Sequence, residues 1–413
     1  IALLDMPHAH SVCVGLWAGV GSRHEEPRHG GISHLLEHMV FRGTPRRGAR
    51  RLVADIESLG GYLNAFTAED HTCYLARVDA ASAPRAVDVL CDMYRGALLD
   101  AGDLAREKEV VGEEIRGCRD SPSIKVEELL DQALWPGHPL GNPVTGSLDT
   151  LAAIGAGDLR RYRDRHYCGA NTVAAVAGNL GRGFDSGALE RNLGALPPGR
   201  FSPAPGRLPR RRRALRIEPA DVEQCSLELG MRTAGRRSRD RYALRLLSVL
   251  LGENMSSVLF QQLRERRGLC YHVQSEISLL DDTGALVIQL ALDARSLERA
   301  LRIIARECAA LAAGRLSNAR LRTASRYAIG QLRLARDSVS QRMMHAAESL
   351  LAYDRLIDES EVERGFARVS GEDIARVARR VCDFSKLSLA AVCRREDAPM
   401  VGGVAAAFTT GAG

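Results

Sequence analysis

Lysine is almost missing from this 413-residue chain: of 57 basic residues only Lys108, Lys125 and Lys386 are lysines, the rest arginine. Aromatic residues make up 5% and no C-x-x-C pair occurs among ten cysteines. The scarcity of aromatics, with arginines scattered opposite acidic residues except at Arg210 to Arg213, argues against a nucleic-acid-binding surface despite the net charge of +6. Cysteines such as Cys13, Cys91, Cys308 and Cys382 lie in apolar runs, which fits neither a zinc ribbon nor a disulfide framework. They read as reduced, buried thiols and predict a cytoplasmic setting. The chain starts at Ile1 rather than Met, which leaves room for an upstream export segment removed from a longer form. No apolar stretch approaches the ~18 to 20 residues that span a bilayer, so no membrane contact is expected.

What is present is 45% apolar residues, enough for more than one buried core. Five of fifteen prolines fall between Pro197 and Pro209, directly before four arginines. Such a composition sustains neither helix nor central strand, and it divides the chain into 1–196, a linker 197–213, and 214–413. The same order of elements is traceable on both sides. Strand Ser11 to Gly19 parallels Ser226 to Met231, and hairpin Gly61 to Val78 parallels Leu269 to Leu292. Helix Ala83 to Leu98 parallels Ser296 to Leu311, and the closing helix and strand Gly157 to Val176 parallel Gly371 to Val392. The expected fold is α+β: two duplicated halves, each with helices packed on a mostly antiparallel sheet, facing across a cleft. The Gly/Ala/Thr-rich residues Ala398 to Gly413 show no periodicity and are expected to be loosely ordered.

Chemistry concentrates in the first half. In His34-Leu35-Leu36-Glu37-His38 the two histidines, four apart, project from one helix face close enough to share a metal ion. Glu37, three after His34, is placed to act as a general base on a water beside that ion. A chance H-x-x-E-H is expected roughly 0.02 times in a chain of this composition. Catalytic zinc takes three protein ligands, so a carboxylate must come from elsewhere. Glu107 and Glu114 lie seven apart on a helix capped by Asp100 or Asp103, sharing a face with Val110 and Val111. An ordinary charged helix surface is the alternative for that pair. His71, in a strand-like alternation, reads as a strand residue.

The segments His34 to Thr44, Leu59 to Thr72 and Glu107 to Ile115 resemble the pitrilysin/insulinase-type zinc peptidases, in particular the catalytic β-subunit of mitochondrial processing peptidase and its two-domain bacterial relatives. The similarity covers nearly the whole chain. It implies one Zn2+ per chain held by His34, His38 and Glu114, with Glu37 as catalytic base and Glu107 supporting the site from behind. It further implies that Asn64 and Ala65 lie on an edge strand where an extended peptide adds by backbone pairing. In the second half no histidine cluster occupies Leu246 to Val249, so no metal site is expected there. Arg264 and Tyr271, in RERRGLCY, match the family's R-E-x-x-G-L-A-Y stretch with cysteine in place of alanine, and are implied to hold substrate, Tyr271 also stabilising the oxyanion.

The function so implied is zinc-dependent endopeptidase action on unfolded peptides or presequence-like segments inside a closed chamber. The rival is a catalytically silent structural or partner subunit of the same fold. Single-chain relatives enclose their chamber with four units of this size, whereas this chain supplies two. The implied assembly is therefore a homodimer, with a heterodimer containing an inactive homologue as the alternative.

Overall fold

In the computed structural model, residues 1–181, 184–199 and 206–410 are described; residues 200–205 of the expected linker lie outside them. The strands are β1 (Ala2–Asp5), β2 (Ser11–Ala18), β3 (Tyr62–Thr67), β4 (Thr72–Asp79), β5 (Thr172–Gly178), β6 (Ala214–Pro219), β7 (Cys225–Ala234), β8 (Cys270–Leu279), β9 (Thr283–Leu292) and β10 (Ser388–Cys393). The helices of the first half are α1 (Ile32–Val40), α2 (Ala49–Glu57), α3 (Ala83–Gly96), α4 (Ala101–Asp120), α5 (Pro122–Leu134), α6 (Leu148–Ala153), α7 (Ala156–His166) and α8 (Ser186–Gly194). Those of the second are α9 (Arg241–Leu251), α10 (Leu297–Ala312), α11 (Asn318–Ala335), α12 (Val339–Tyr353), α13 (Glu359–Ala367), α14 (Gly371–Val381) and α15 (Ala398–Thr410).

The duplication is visible in the sheets. One has the order β1-β5-β2-β4-β3 and the other β6-β10-β7-β9-β8, the same topology twice. In each, the first pair (β1 with β5, β6 with β10) is parallel and the remaining three pairs are antiparallel. This is the α+β architecture expected from the repeated element order.

Two compact units result, and they are not the two sequence halves. One comprises residues 1–117, 142–207 and 333–357, the other 118–141, 208–332 and 358–413. The reason lies in the central strands, which are apolar on both faces. In β2, Val12, Val14 and Leu16 join the core made with α1 and α3. The alternate residues Cys13 and Trp17 face α12, through Val339, Met343 and Ala347. In the second unit Leu227 and Leu229 of β7 join the main core. The other face of that sheet, with Ala285, Ala390 and Val392, is covered by Leu129, Leu130 and Leu134 of α5. Each sheet thus takes the helix over its second face from the other half of the sequence. Glycine makes room for both: a Cβ on Gly15 would lie 2.4 Å from the Met343 sulfur, and one on Gly230 2.9 Å from Leu130.

The C-terminal segment differs from expectation. Rather than a loose tail it forms α15, because Val401 and Ala405, four apart, are fully buried against α10 and β6. Phe408 adds an edge-to-face contact with Phe384, ring centroids 5.2 Å apart. All ten cysteines are free thiols, eight of them buried. Among the described residues no helix is long and apolar enough to cross a membrane.

Candidate metal and catalytic site

Helix α1 follows the central strand β2 and is buried along nearly its whole length by Ile32, Leu35, Leu36, Met39 and Val40. His34 and His38 emerge on one side, their ring centroids 4.7 Å apart. Glu114 reaches them from α4, whose N-terminus Asp100 caps by accepting from the Gly102 and Asp103 amides at 2.7 and 3.3 Å. Glu114 Oε1 stands 3.6 Å from His34 Nε2 and its Oε2 3.7 Å from His38 Nε2. One ligand atom from each of the three lies within 4.8 Å of the others, and no other such group of His, Cys, Asp or Glu occurs among the described residues. Ligand atoms about 2.0 to 2.2 Å from a tetrahedral zinc are roughly 3.4 Å apart, so this donor set fits such an ion with small adjustment. Burial, reinforced by neighbouring His38, lowers the His34 pKa to about 4, which keeps the imidazole neutral and able to ligate at physiological pH.

The two glutamates of α4 play different parts. Glu107, 2% exposed, accepts from His38 Nδ1 at 3.1 Å, while Arg42 pairs with its other oxygen. That bond fixes the tautomer with Nε2 of His38 free to face Glu114. Glu107 therefore stands buried behind His38 and is not part of a plain charged helix surface.

Glu37 is on α1 between the histidines and outside the ligand set. Burial raises its pKa, partly offset by a 2.6 Å hydrogen bond donated by Thr67 Oγ1 and by the His38 charge. A carboxylate so placed is a better proton acceptor than one in water. Thr67 closes β3, the free edge of its sheet, which carries exposed Asn64 and half-buried Ala65. Beside Glu37 and His38 opens a cavity of about 440 Å³ with Phe41 and Val53 on its apolar side and Arg42 and Arg50 on its polar side. His71 stands next to β4 with its ring 5.8 Å from Phe66, outside the ligand set.

Arg264 and Tyr271 belong to the other unit, where they lie together. Arg264 lies in the last turn of a π-helical stretch, Phe260–Glu265, and its guanidinium carbon is 5.0 Å from the Phe260 ring and 5.6 Å from that of Tyr271. Tyr271 is the second residue of the edge strand β8 and is 73% exposed. π-helical turns are uncommon and concentrate at functional sites.

Reading the sequence placed Thr67 only in the edge-strand run Asn64 to Thr67, without its bond to Glu37, and did not find Arg42 or Glu25 as parts of the site. Glu25 is buried, and its carboxylate accepts from the Gly31 and Ser33 amides at the start of α1, at 2.6 and 2.9 Å. Burial raises its pKa to about 7 against these bonds. None of the three has a motif spacing that could have announced it.

The chain belongs to the insulinase family of peptidases, M16. The family's model matches residues 1–147, and the model described as the M16 inactive domain matches residues 153–326. Among curated proteins, an uncharacterized zinc protease of Mycobacterium tuberculosis is 35% identical over 91% of this chain and 87% of its own length. An uncharacterized zinc protease of Bacillus subtilis is 35% identical over 87% and 88%. Among solved structures, a protease from Helicobacter pylori superposes with a TM-score of 0.86 at 21% identity, covering 94% of this chain and 95% of that one, a likeness of fold.

Proposed function

We propose that this protein is a zinc-dependent endopeptidase that hydrolyses peptide bonds in unfolded, extended segments. The observation that carries the reading is the convergence of His34, His38 and Glu114 within 4.8 Å, with Glu37 beside them and outside the ligand set. When bound there, zinc supplies Lewis acidity that polarises the scissile carbonyl and acidifies water. An extended substrate pairs its backbone with the free edge of β3 at Asn64 and Ala65, which makes side-chain selectivity loose. Thr67 holds Oε2 of Glu37, so Oε1 accepts the proton from water and returns it to the leaving nitrogen. The cavity lined by Phe41 and Val53 receives one substrate side chain. Arg264 grips the substrate and Tyr271 donates to the developing oxyanion, support coming from their mutual proximity and the exposure of Tyr271.

Two copies of the chain form the working chamber, a homodimer in which each copy carries the full residue set. The test is a digest of an unstructured peptide library by purified protein, with and without chelator. Cleavage lost on chelation and restored by zinc supports the reading; cleavage indifferent to chelator, or none with zinc bound, defeats it.

A further inference from the structure

Helix α1 begins with a deficit. Its N-cap is Gly31, at φ 89°, which has no side chain to accept from the orphan amides of the first turn. Nor could another residue serve there, because a Cβ at Gly31 would lie 2.5 Å from the Thr145 carbonyl oxygen, in a left-handed conformation besides. The missing acceptor comes from six residues upstream. Glu25, 7% exposed, takes the Gly31 amide on Oε2 at 2.6 Å and the Ser33 amide on Oε1 at 2.9 Å. Ser33, itself fully buried, is tied through its hydroxyl to Tyr162 on α7 at 2.7 Å. His34 is the next residue, still in the first turn, with Glu37 and His38 one turn on.

We propose that Glu25 is a positioning residue: its carboxylate, with the Ser33–Tyr162 bond behind it, fixes the first turn of α1 and so sets where His34 and Glu37 stand relative to Glu114. The inference rests on the reading of this cluster as a zinc peptidase site. A buried carboxylate is costly unless its hydrogen bonds are made, and here both oxygens serve the start of the helix that carries His34, Glu37 and His38. Loss of that acceptor frees the first turn to fray and moves His34 before it disturbs the rest of the fold. A donor in its place is worse, since the amide of glutamine turns an N–H toward an N–H.

The test compares the full-length parent with Glu25→Gln and Tyr162→Phe at a temperature where all are folded by circular dichroism. Glu25→Gln is expected to weaken zinc about tenfold in competition with a chelator, as loss of a residue that orients a metal ligand does. It is also expected to lower kcat for an unstructured peptide by about tenfold with KM within about twofold, and to speed amide exchange in α1 of the metal-free chain selectively. Tyr162→Phe follows in the same direction, about two- to threefold. A purely structural role would lower the melting temperature and leave zinc affinity and kcat of the folded protein unmoved, which overturns the proposal. If Glu25→Gln fails to fold, parent-like α1 exchange in Tyr162→Phe overturns it equally. A parent chain that neither binds zinc nor cleaves peptide sinks the peptidase reading, and α1 exchange in the two variants then decides the role of Glu25 alone.

Discussion

After the central strand of each sheet comes a buried helix, α1 in one unit and α9 in the other, and the two have opposite chemistry. Helix α9 fills its place with Leu244, Leu246, Leu247, Val249 and Leu251, its one buried hydroxyl, Ser248, bonded to Ser275. Helix α1 spends the equivalent place on two histidines and a glutamate, and two of the three depart from comfort: His34 is pushed to about 4, its Nδ1 is buried without a partner among the described residues, and Glu37 is held up by burial. The fold therefore needs only an apolar helix there. The ionisable residues of α1 are a burden the fold does not require, which is why they read as chemistry. The units differ around that helix too. The loop after α1 is strapped by buried Arg47, which pairs with Asp55 on α2 and with Asp88 and Asp92 on α3.

Making α1 resemble α9 is the strongest way to break this contrast. His34→Leu is expected to abolish zinc binding and cleavage outright, yet to leave the metal-free protein as stable or more so by about 1 kcal/mol, since an unsatisfied buried nitrogen disappears. Zinc analysis and denaturant unfolding of the metal-free form check both halves; a clear loss of apo stability would mean His34 has a structural role.

Arg47→Ala should cost about 3 to 5 kcal/mol in urea unfolding, because it strands carboxylates among which Asp92 is 6% exposed. Asp55 and Asp88, their pKa values lowered in the fold, contribute stability at neutral pH that is lost as pH falls below about 4 and through their folded values. The variant should flatten that acid limb, and an unchanged limb would assign it to other carboxylates.

The glycines under the borrowed helices sharpen the comparison in packing. Gly15→Ala, with contacts at 2.4 Å to Met343 and the Trp17 ring, should destabilise by about 2 to 3 kcal/mol. Gly230→Ala meets only the terminal methyls of Leu130 and Leu134 at 2.9 to 3.1 Å and should cost about 1 kcal/mol. Equal costs would show that both helices shift with similar ease.

A pH-dependent effect is expected at Glu228, on β7. Burial, with Glu127 nearby, raises its pKa to about 8. The native state thus holds a proton that the unfolded chain releases near 4.5, so stability declines as pH rises from about 4.5 to 8. Glu228→Gln should remove that decline, seen as a higher melting temperature at pH 9 with little change at pH 5. An identical pH dependence in the two proteins would assign the decline elsewhere.

Much of this was legible in the sequence for a physical reason: periodicity and spacing are local. The repeated strand, hairpin and helix orders announced two similar sheets, and four-residue spacing put His34 and His38 on one face. Glu114 was reached through family resemblance, since no rule of spacing joins α4 to α1. What stayed hidden depends on pairing across long intervals: Thr67 with Glu37, Arg42 with Glu107, Glu25 with Ser33. The exchange of α5 and α12 was equally silent, because an amphipathic helix reads alike whichever sheet it covers. In α15 the buried pair Val401 and Ala405 was masked by glycine and alanine around it.

The central claim is that Glu37 moves the proton while His34, His38 and Glu114 hold the ion, and one paired measurement on Glu37→Gln addresses it directly. Zinc content and peptide cleavage are determined on the same purified sample. The account predicts about one zinc per chain, as in the parent, with kcat reduced roughly 10²- to 10⁴-fold. Cleavage at the parent rate with zinc in place would contradict it.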